Sequence, residues 1–207
     1  MFHKTYNLHL PDLSMDYDVV IIGSGAAGLS AAIYLARAGM KTLVVGNQKR
    51  SQLTSAFDVE NYFGFHEGTN GKELLRSGIK QAKKAGATFI EKNAKSVKDA
   101  DYKFETTLED SSTHTSDYLI IASGMLSSLD FAKSLNLRIK NKLIEINSHN
   151  QTSHEKVYAA GNCCTTVRQI AKDVGDGCNA AINIIKKVKN LPSYTDYGPI
   201  DSGLDPS

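Results

Sequence analysis

Charge of one sign is what this sequence most plainly lacks: 24 Lys and Arg stand against 22 Asp and Glu, a formal net charge of +2. Without a concentrated positive excess there is no electrostatic case for a nucleic-acid partner. Long apolar runs are also missing. Those present have strand length, so no membrane-spanning helix is expected. The opening residues, MFHKTYNLHLPDLS, have no apolar core of the secretory kind, and the cytoplasm is the expected compartment. Cysteine is scarce, with three residues of which two are adjacent, so there is no disulfide framework and a reducing environment is expected. No C-x-x-C pair occurs, and His66, His114, His149 and His154 show no ligand spacing, so no metal site is expected. The Asn150-Gln151-Thr152 sequon, with no secretory signal before it, reads as chance. No internal repeat is present.

What is present suits a globular fold. A hydrophobic fraction of 41% in 207 residues is enough for a real core, in one large domain or two small ones. The organising stretch is Asp16 to Gly46, which parses as strand, glycine turn, helix and strand. Val19 to Ile22 is a continuous β-branched run, as in a strand buried on both faces of a parallel sheet. Gly23, Gly25 and Gly28 then fit G-x-G-x-x-G. The first glycine permits a tight turn, the second admits a pyrophosphate, and the third brings helix and strand close. Leu29, Ala32, Ile33 and Ala36 follow on one predicted helix face, Gly39 ends the helix, and Thr42 to Val45 forms the next strand. The unpaired N–H groups and positive end of that helix would meet the phosphates, so Ser24, Ala26 and Ala27 join the glycines as expected contacts. Set between two strands, the fingerprint is strong evidence for dinucleotide binding.

Which dinucleotide is open at this point. Such sites usually place an acid at the end of the second strand, to hold ribose hydroxyls. Here Gly46-Asn47-Gln48-Lys49-Arg50 follows, so Asn47 or Gln48 would bond the ribose without charge assistance. Lys49 and Arg50 suggest instead a 2′-phosphate, and hence NADP.

The following segments resemble the thioredoxin reductase family. Ser51-Gln52-Leu53-Thr54, Val59-Glu60-Asn61-Tyr62-Phe63-Gly64-Phe65 and Gln81-Ala82-Lys83-Lys84-Ala85-Gly86-Ala87 match its G-G-Q-L-T turn, E-N-Y-P-G-F loop and Q-A-x-x-x-G-A helix end. Arg50-Ser51 replaces the paired glycines, Gln48 takes the usual acidic position, and Phe63 replaces proline. Further on, Tyr118 to Gly124 resembles L-I-I-A-T-G, Val157 to Asn162 resembles V-Y-A-A-G-D, and Arg168-Gln169-Ile170 with Gly175-Asp176-Gly177 resembles R-Q-I and G-D-G. The resemblance covers about residues 17–188. It implies a three-layer, Rossmann-like α/β domain, with a central parallel sheet and a small antiparallel meander. It also implies FAD as cofactor, with Ser51, Gln52, Leu53, Asn61, Ala94, Gly124, Gly161, Asn162, Arg168, Gln169 and Ile170 among the contacts. Asn162 stands where the motif has aspartate, and its amide oxygen still accepts a hydrogen bond.

The family inserts an NADPH domain, with a second glycine fingerprint and a redox C-x-x-C, after the strand ending at Gly124. Here Met125 to Ile146 instead runs through one helical patch and two short strands. The expected organisation is an extension over residues 1–14, an FAD domain over 15–190 and a mobile tail over 191–207. Within the domain, Thr88 to Ile90, Ala94 to Val97, Tyr102 to Thr107 and His114 to Ser116 read as the short strands of the antiparallel meander. Tyr118 to Gly124 then returns as a buried strand, and the final helix is predicted over about 166–189, its terminal lysines a solvated cap.

Cys163 and Cys164 follow the Gly161-Asn162 turn. They are weak catalytic candidates: a helix N-terminus close by would lower a thiol's pKa, whereas two small residues filling a tight turn is the simpler reading. Cys178 reads as packing. The expected function is a single-domain flavoprotein that passes electrons from an external donor or partner to a thiol/disulfide, quinone or oxygen. The alternatives are a non-catalytic FAD-binding or interaction module and a one-domain NADP-binding protein. A homodimer is expected, with Leu126, Leu129 and Phe131 as the apolar patch uncovered where the inserted domain is missing.

Overall fold

The computed structural model describes residues 16–195. The expected N-terminal extension and residues 196–207 of the expected tail lie outside them, as does the side chain of Leu126. Nine strands and four helices follow the order β1 (Asp16–Ile22), α1 (Ala26–Arg37), β2 (Thr42–Val45), α2 (Gly71–Ala85), β3 (Thr88–Ile90), β4 (Ala94–Ala100), β5 (Lys103–Leu108), β6 (Thr113–Ile121), α3 (Met125–Ser134), β7 (Ile139–Lys140), β8 (Leu143–Ile144), β9 (Val157–Ala159) and α4 (Ile170–Lys189), among the described residues.

The main sheet runs β3-β2-β1-β6-β5-β4, with β9 also beside β6. Strands β3, β2, β1, β6 and β9 are parallel, and β4, β5 and the start of β6 form the antiparallel meander. Two expectations are corrected here. Thr88–Ile90 is no part of the meander but the parallel partner of β2. The stretches 114–116 and 118–121 are one strand, because β6 keeps its register with β1 from Asp16↔Thr115 to Ile22↔Ile121 while its other edge passes from β5 to β9. An unbroken partner on one side holds the strand straight through the change on the other.

Alternate residues divide the core into two layers, as the period of a strand requires. Val19, Ile21, Val44, Ile120 and Tyr158 pack with α1 and α4. Val20, Ile22, Leu43, Val45, Leu119 and Ile121 pack with Val97, Phe104 and Leu108 of the meander and Phe131 and Ala132 of α3. Each such fully buried aliphatic side chain contributes roughly 1.5–3 kcal/mol. The expected apolar patch is therefore corrected at Phe131, which is 6% exposed. Helix α3 turns that ring inward, where the meander provides a surface for it.

Helix α1 is buried on more than the one expected face. Ala27, Ala31 and Leu35 are buried along with Leu29, Ala32 and Ala36, whereas Ile33 is only half-buried. Small residues allow this, since α1 lies between the sheet and α4. Ser30 Oγ donates to the Val174 carbonyl at 2.7 Å. Helix α2 begins at Asn70, whose Oδ1 accepts from the Glu73 N–H at 3.0 Å, a cap worth about 1 kcal/mol, and it ends at Gly86 in the left-handed region. Asn150, in the sequon, is 3% exposed and bonded to Ala159 and Asn179. Among the described residues no helix is long and apolar enough to cross a membrane.

Candidate functional site

The three fingerprint glycines have different reasons to be glycine. Gly23 (φ 120°) donates its N–H to the Val45 carbonyl at 2.7 Å, and a Cβ there would lie 2.2 Å from the Ala122 carbonyl oxygen. A Cβ on Gly28 would lie 1.9 Å from the Gly23 carbonyl oxygen. Both are demanded by the fold. Gly25 is not: its φ of −82° suits any residue, and a Cβ would meet only Ser51 Oγ, at 3.7 Å. Its bareness leaves space in front of the N-terminus of α1, where the first amides, Ala26 and Ala27 among them, have no partner in their own helix. Ser24 is buried beside Gly46, whose Cβ would come to 2.9 Å from the Ser24 nitrogen.

Past β2, the Asn47 Oδ1 accepts from the Lys49 N–H at 3.0 Å, which fixes a short 3-10 turn, Gln48–Arg50. Gln48 lines a groove of about 370 Å³ with Lys72, Leu75, Arg76 and Lys80, while Lys49 and Arg50 are exposed. In the second 3-10 turn, Gln52–Ser55, Leu53 faces inward against Leu29 and Leu75. Ser51 Oγ is buried without a partner.

Residues far apart in sequence meet here. Asn162 Nδ2 donates to Gln52 Oε1 at 2.6 Å, across 110 positions, and Asn61 Nδ2 donates to Gln169 Oε1 at 3.1 Å, across 108. Asn162 Oδ1 remains buried and unpartnered. Gly161 (φ 79°) is tucked against Ala27, to which a Cβ would approach within 3.1 Å. Arg168 is exposed and donates to Met125 Sδ at 3.4 Å, Ile170 opens α4 half-buried against the Leu29–Leu53 cluster, and Gly124 (φ 77°) precedes α3. Ala94 stands apart from these pairs: it opens β4 and packs against the cluster on the meander side of the sheet.

Helix α4 begins at Ile170, not near residue 166. Gln169 is extended (φ −129°, ψ 139°), with its side chain engaged by Asn61, so the helix starts only beyond it. The terminal lysines do more than the expected solvated cap, since Lys189 Nζ donates to the Ala38 carbonyl at 2.6 Å, at the end of α1.

Cys164 does not carry the lowered pKa that a helix N-terminus would give. Cys163 is 2% exposed and its Sγ donates to the Ile121 carbonyl at 3.2 Å and the Ala160 carbonyl at 3.3 Å. Hydrogen bonding with Cys163 and then burial push the Cys164 thiol far above its usual range, so it stays protonated. Cys164 also lines a cleft of about 610 Å³ bounded by Leu143 to Asn147, Gln151 and Thr166.

Two acids on α4 went unassigned in the sequence. Asp176, within the G-D-G motif, is 6% exposed; its Oδ2 accepts from the Gly161 N–H at 3.2 Å, and its Oδ1 is held by Lys172. Asp173 lies beside Gly161 with Oδ1 buried and unpartnered, and its carboxyl is pushed up to about 6 by burial and then by the charge of Asp176, with Lys172 opposing. The available signal was an acid in the first turn of the helix after Asn162.

This donor set fits FAD. Bare amides and an unblocked Gly25 suit a pyrophosphate, and the orphaned oxygens of Ser51 and Asn162 suit ligand hydroxyls. A family model described as pyridine nucleotide-disulphide oxidoreductase matches residues 67–181, and one described as FAD binding domain matches residues 18–58, the fingerprint itself. The thioredoxin reductase of Rickettsia felis is 40% identical over 107 residues, covering 51% of this chain and 34% of its own. That of Pneumocystis carinii is 37% identical over 131 residues, covering 59% and 39%. The chain thus spans about a third of the length of these curated relatives. Among solved structures, the atypical thioredoxin reductase TRi from Desulfovibrio vulgaris Hildenborough superposes with a TM-score of 0.78 at 22% identity, over 86% of this chain and 100% of that one. A thioredoxin reductase from Gloeobacter violaceus gives 0.80 at 16%, over 89% and 99%. At such identities these two report the fold.

Proposed function

The chain belongs to the pyridine nucleotide-disulphide oxidoreductase family, and from that premise we propose that it is a single-domain flavoprotein of thioredoxin reductase type. It takes electrons from an external donor or partner protein and passes them to a thiol/disulfide, quinone or oxygen acceptor. FAD is its cofactor. The observation that carries this reading is Gly25, left open where the fold does not require it, beside the orphaned oxygens of Ser51 and Asn162.

Bound there, FAD supplies the electron-transfer chemistry, and the chain supplies position. The N-terminal amides of α1 bind the pyrophosphate. The Gln52–Asn162 and Asn61–Gln169 pairs fix the two loops that flank the cofactor. Cys163 and Cys164, both bonded to backbone carbonyls, act as packing, so the acceptor is external. The relatives' names favour a thioredoxin-like protein as that acceptor. The three free thiols favour a reducing compartment.

Two other readings each have a specific observation. The burial of Cys163 and the raised pKa of Cys164 favour a non-catalytic FAD-binding module, and the exposed Lys49 and Arg50 favour NADP. The absorption spectrum of the purified protein decides among them. Flavin bands are expected, and their absence overturns the FAD reading in favour of the NADP one. Anaerobic bleaching by a dithiol or a reduced partner then supports catalysis, and a flavin that neither reduces leaves the binding module.

A further inference from the structure

Three oxygens around the cradle have no partner among the described residues: Ser51 Oγ, Asn162 Oδ1 and Asp173 Oδ1. The first two belong to loops already assigned to the cofactor. The third does not. Asp173 sits in the first turn of α4, where its N–H bonds the Gln169 carbonyl at 3.0 Å. Its carboxylate lies against Gly161: a Cβ built on that glycine would come to 3.1 Å from Asp173 Oδ1 and to 3.1 Å from Ala27 Cβ. The oxygen therefore shares a small neighbourhood with the first turn of α1 and with the residue preceding Asn162. The adjacent acid is fully engaged, since Asp176 takes both the Gly161 N–H and the Lys172 ammonium. A buried acceptor without a donor is costly, and the cation on the same turn is turned to the other carboxylate.

We propose that Asp173 binds the cofactor, its carboxylate accepting hydrogen bonds from the hydroxyls of the polyhydroxyl chain that joins flavin to pyrophosphate. This rests on the FAD reading. A carboxylate accepts and does not donate, so it repels phosphate oxygens and selects a stretch of ligand that carries O–H groups. Within FAD those groups lie on the ribityl chain and on the adenosine ribose. Asp173 lies against Gly161, the residue before Asn162, whose amide pairs with Gln52, whereas Asn47 and Gln48 follow β2, and this neighbourhood assigns it to the ribityl chain.

The charge environment gives the binding a pH dependence. The groups acting on Asp173 are Asp176 and Lys172 from its own helix. The turn before α4 contributes Gly161 and α1 contributes Ala27, neither of which carries a charge. Burial, and then the charge of Asp176, push the free carboxyl up to about 6. Donors from a ligand stabilise the ionised form, so binding FAD lowers that value, and by linkage the affinity rises as pH rises through it.

The test is an FAD titration of the full chain, followed by flavin fluorescence, between about pH 5 and about pH 7.5. For the unmodified protein the affinity is expected to rise about tenfold across that range. Asp173→Asn keeps the shape and one acceptor but removes the charge; it is expected to bind FAD about tenfold more weakly at the upper pH, with the pH dependence flattened. Asp173→Ala should behave the same way, and circular dichroism of each apo variant verifies the fold. ADP, which has the pyrophosphate and adenosine ribose but no ribityl chain, should bind all three proteins equally; selective weakening of ADP overturns the ribityl assignment. FAD affinities unchanged in both variants overturn the role of Asp173 while leaving the cofactor reading intact. An unmodified chain that binds no FAD overturns both.

Discussion

At the scale of single residues, Gly25 separates ligand binding from folding. Gly23 and Gly28 face backbone oxygens at 2.2 and 1.9 Å from a Cβ, whereas a Cβ on Gly25 would make only ordinary contact with Ser51 Oγ at 3.7 Å, on an extended backbone that tolerates β-branching. Gly25→Val should therefore fold with a near-normal melting temperature and lose about a hundredfold or more in FAD affinity, roughly 2.7 kcal/mol. Normal flavin content in the folded variant, measured by absorbance, would reject the cradle assignment. Asp173 makes the reverse prediction for the apo protein. Its carboxyl is raised from 3.8 to about 6, so between those values the folded state holds more protons than the unfolded one. Its contribution to stability is present below the lower value and is lost as pH rises through the upper. Replacing it with Asn should raise the apo melting temperature near neutral pH, with the gain vanishing by about pH 4. A variant that melts like the parent at every pH would show that the carboxyl is not perturbed.

At the scale of elements, the site depends on how closely α4 approaches α1. A Cβ on Gly177 would lie 2.1 Å from the Ala27 carbonyl oxygen and 3.0 Å from the Ala31 nitrogen, both backbone atoms that cannot swing aside. Alanine is the better helix former by up to about 1 kcal/mol, yet overpacking against backbone costs about 1–3 kcal/mol. Gly177→Ala should thus destabilise the protein in urea by a kcal/mol or so at least and weaken FAD binding, because the same displacement moves Gly161 and Asp173 away from Ala27. Stability equal to the parent's would mean that the two helices pack less tightly than their backbones indicate.

At the scale of the molecule, β6 passes straight into α3, and residues 125–156 hold one helix and a small hairpin between the two halves of the FAD fold. The purified chain is expected to reduce no thioredoxin with NADPH unless a second protein delivers the electrons. Turnover by the chain alone, followed by NADPH absorbance, would refute this. Self-association is expected through a surface other than the one around Phe131. Phe57, Phe63 and Phe65, on the loop that carries Asn61, are 74%, 99% and 41% exposed, a concentration of aromatic surface suited to an interface. Light scattering at micromolar concentration should give a dimer mass that falls to the monomer's in a Phe63→Ser/Phe65→Ser variant; a monomer in the parent would turn that surface over to a redox partner.

The sequence alone determined the strand–turn–helix–strand core and its kind of ligand. Its signals are local: a β-branched run reports burial on both faces, and three spaced glycines report a turn too tight for side chains. The order of family-like motifs likewise specified a three-layer α/β fold with FAD. Only the tertiary structure decided which glycine serves the fold and which the ligand, because the deciding atoms, Ala122 for Gly23 and Ser51 for Gly25, lie elsewhere in the chain. It also set the start of α4 at Ile170, through a bond from Asn61 to Gln169 across 108 positions that no local propensity encodes. Phe131 was turned inward by a meander more than twenty residues upstream. Asp173 became a site residue in the same way. Its position on the helix was legible, but the burial that leaves its oxygen without a partner arises only when α4 folds against Gly161 and α1.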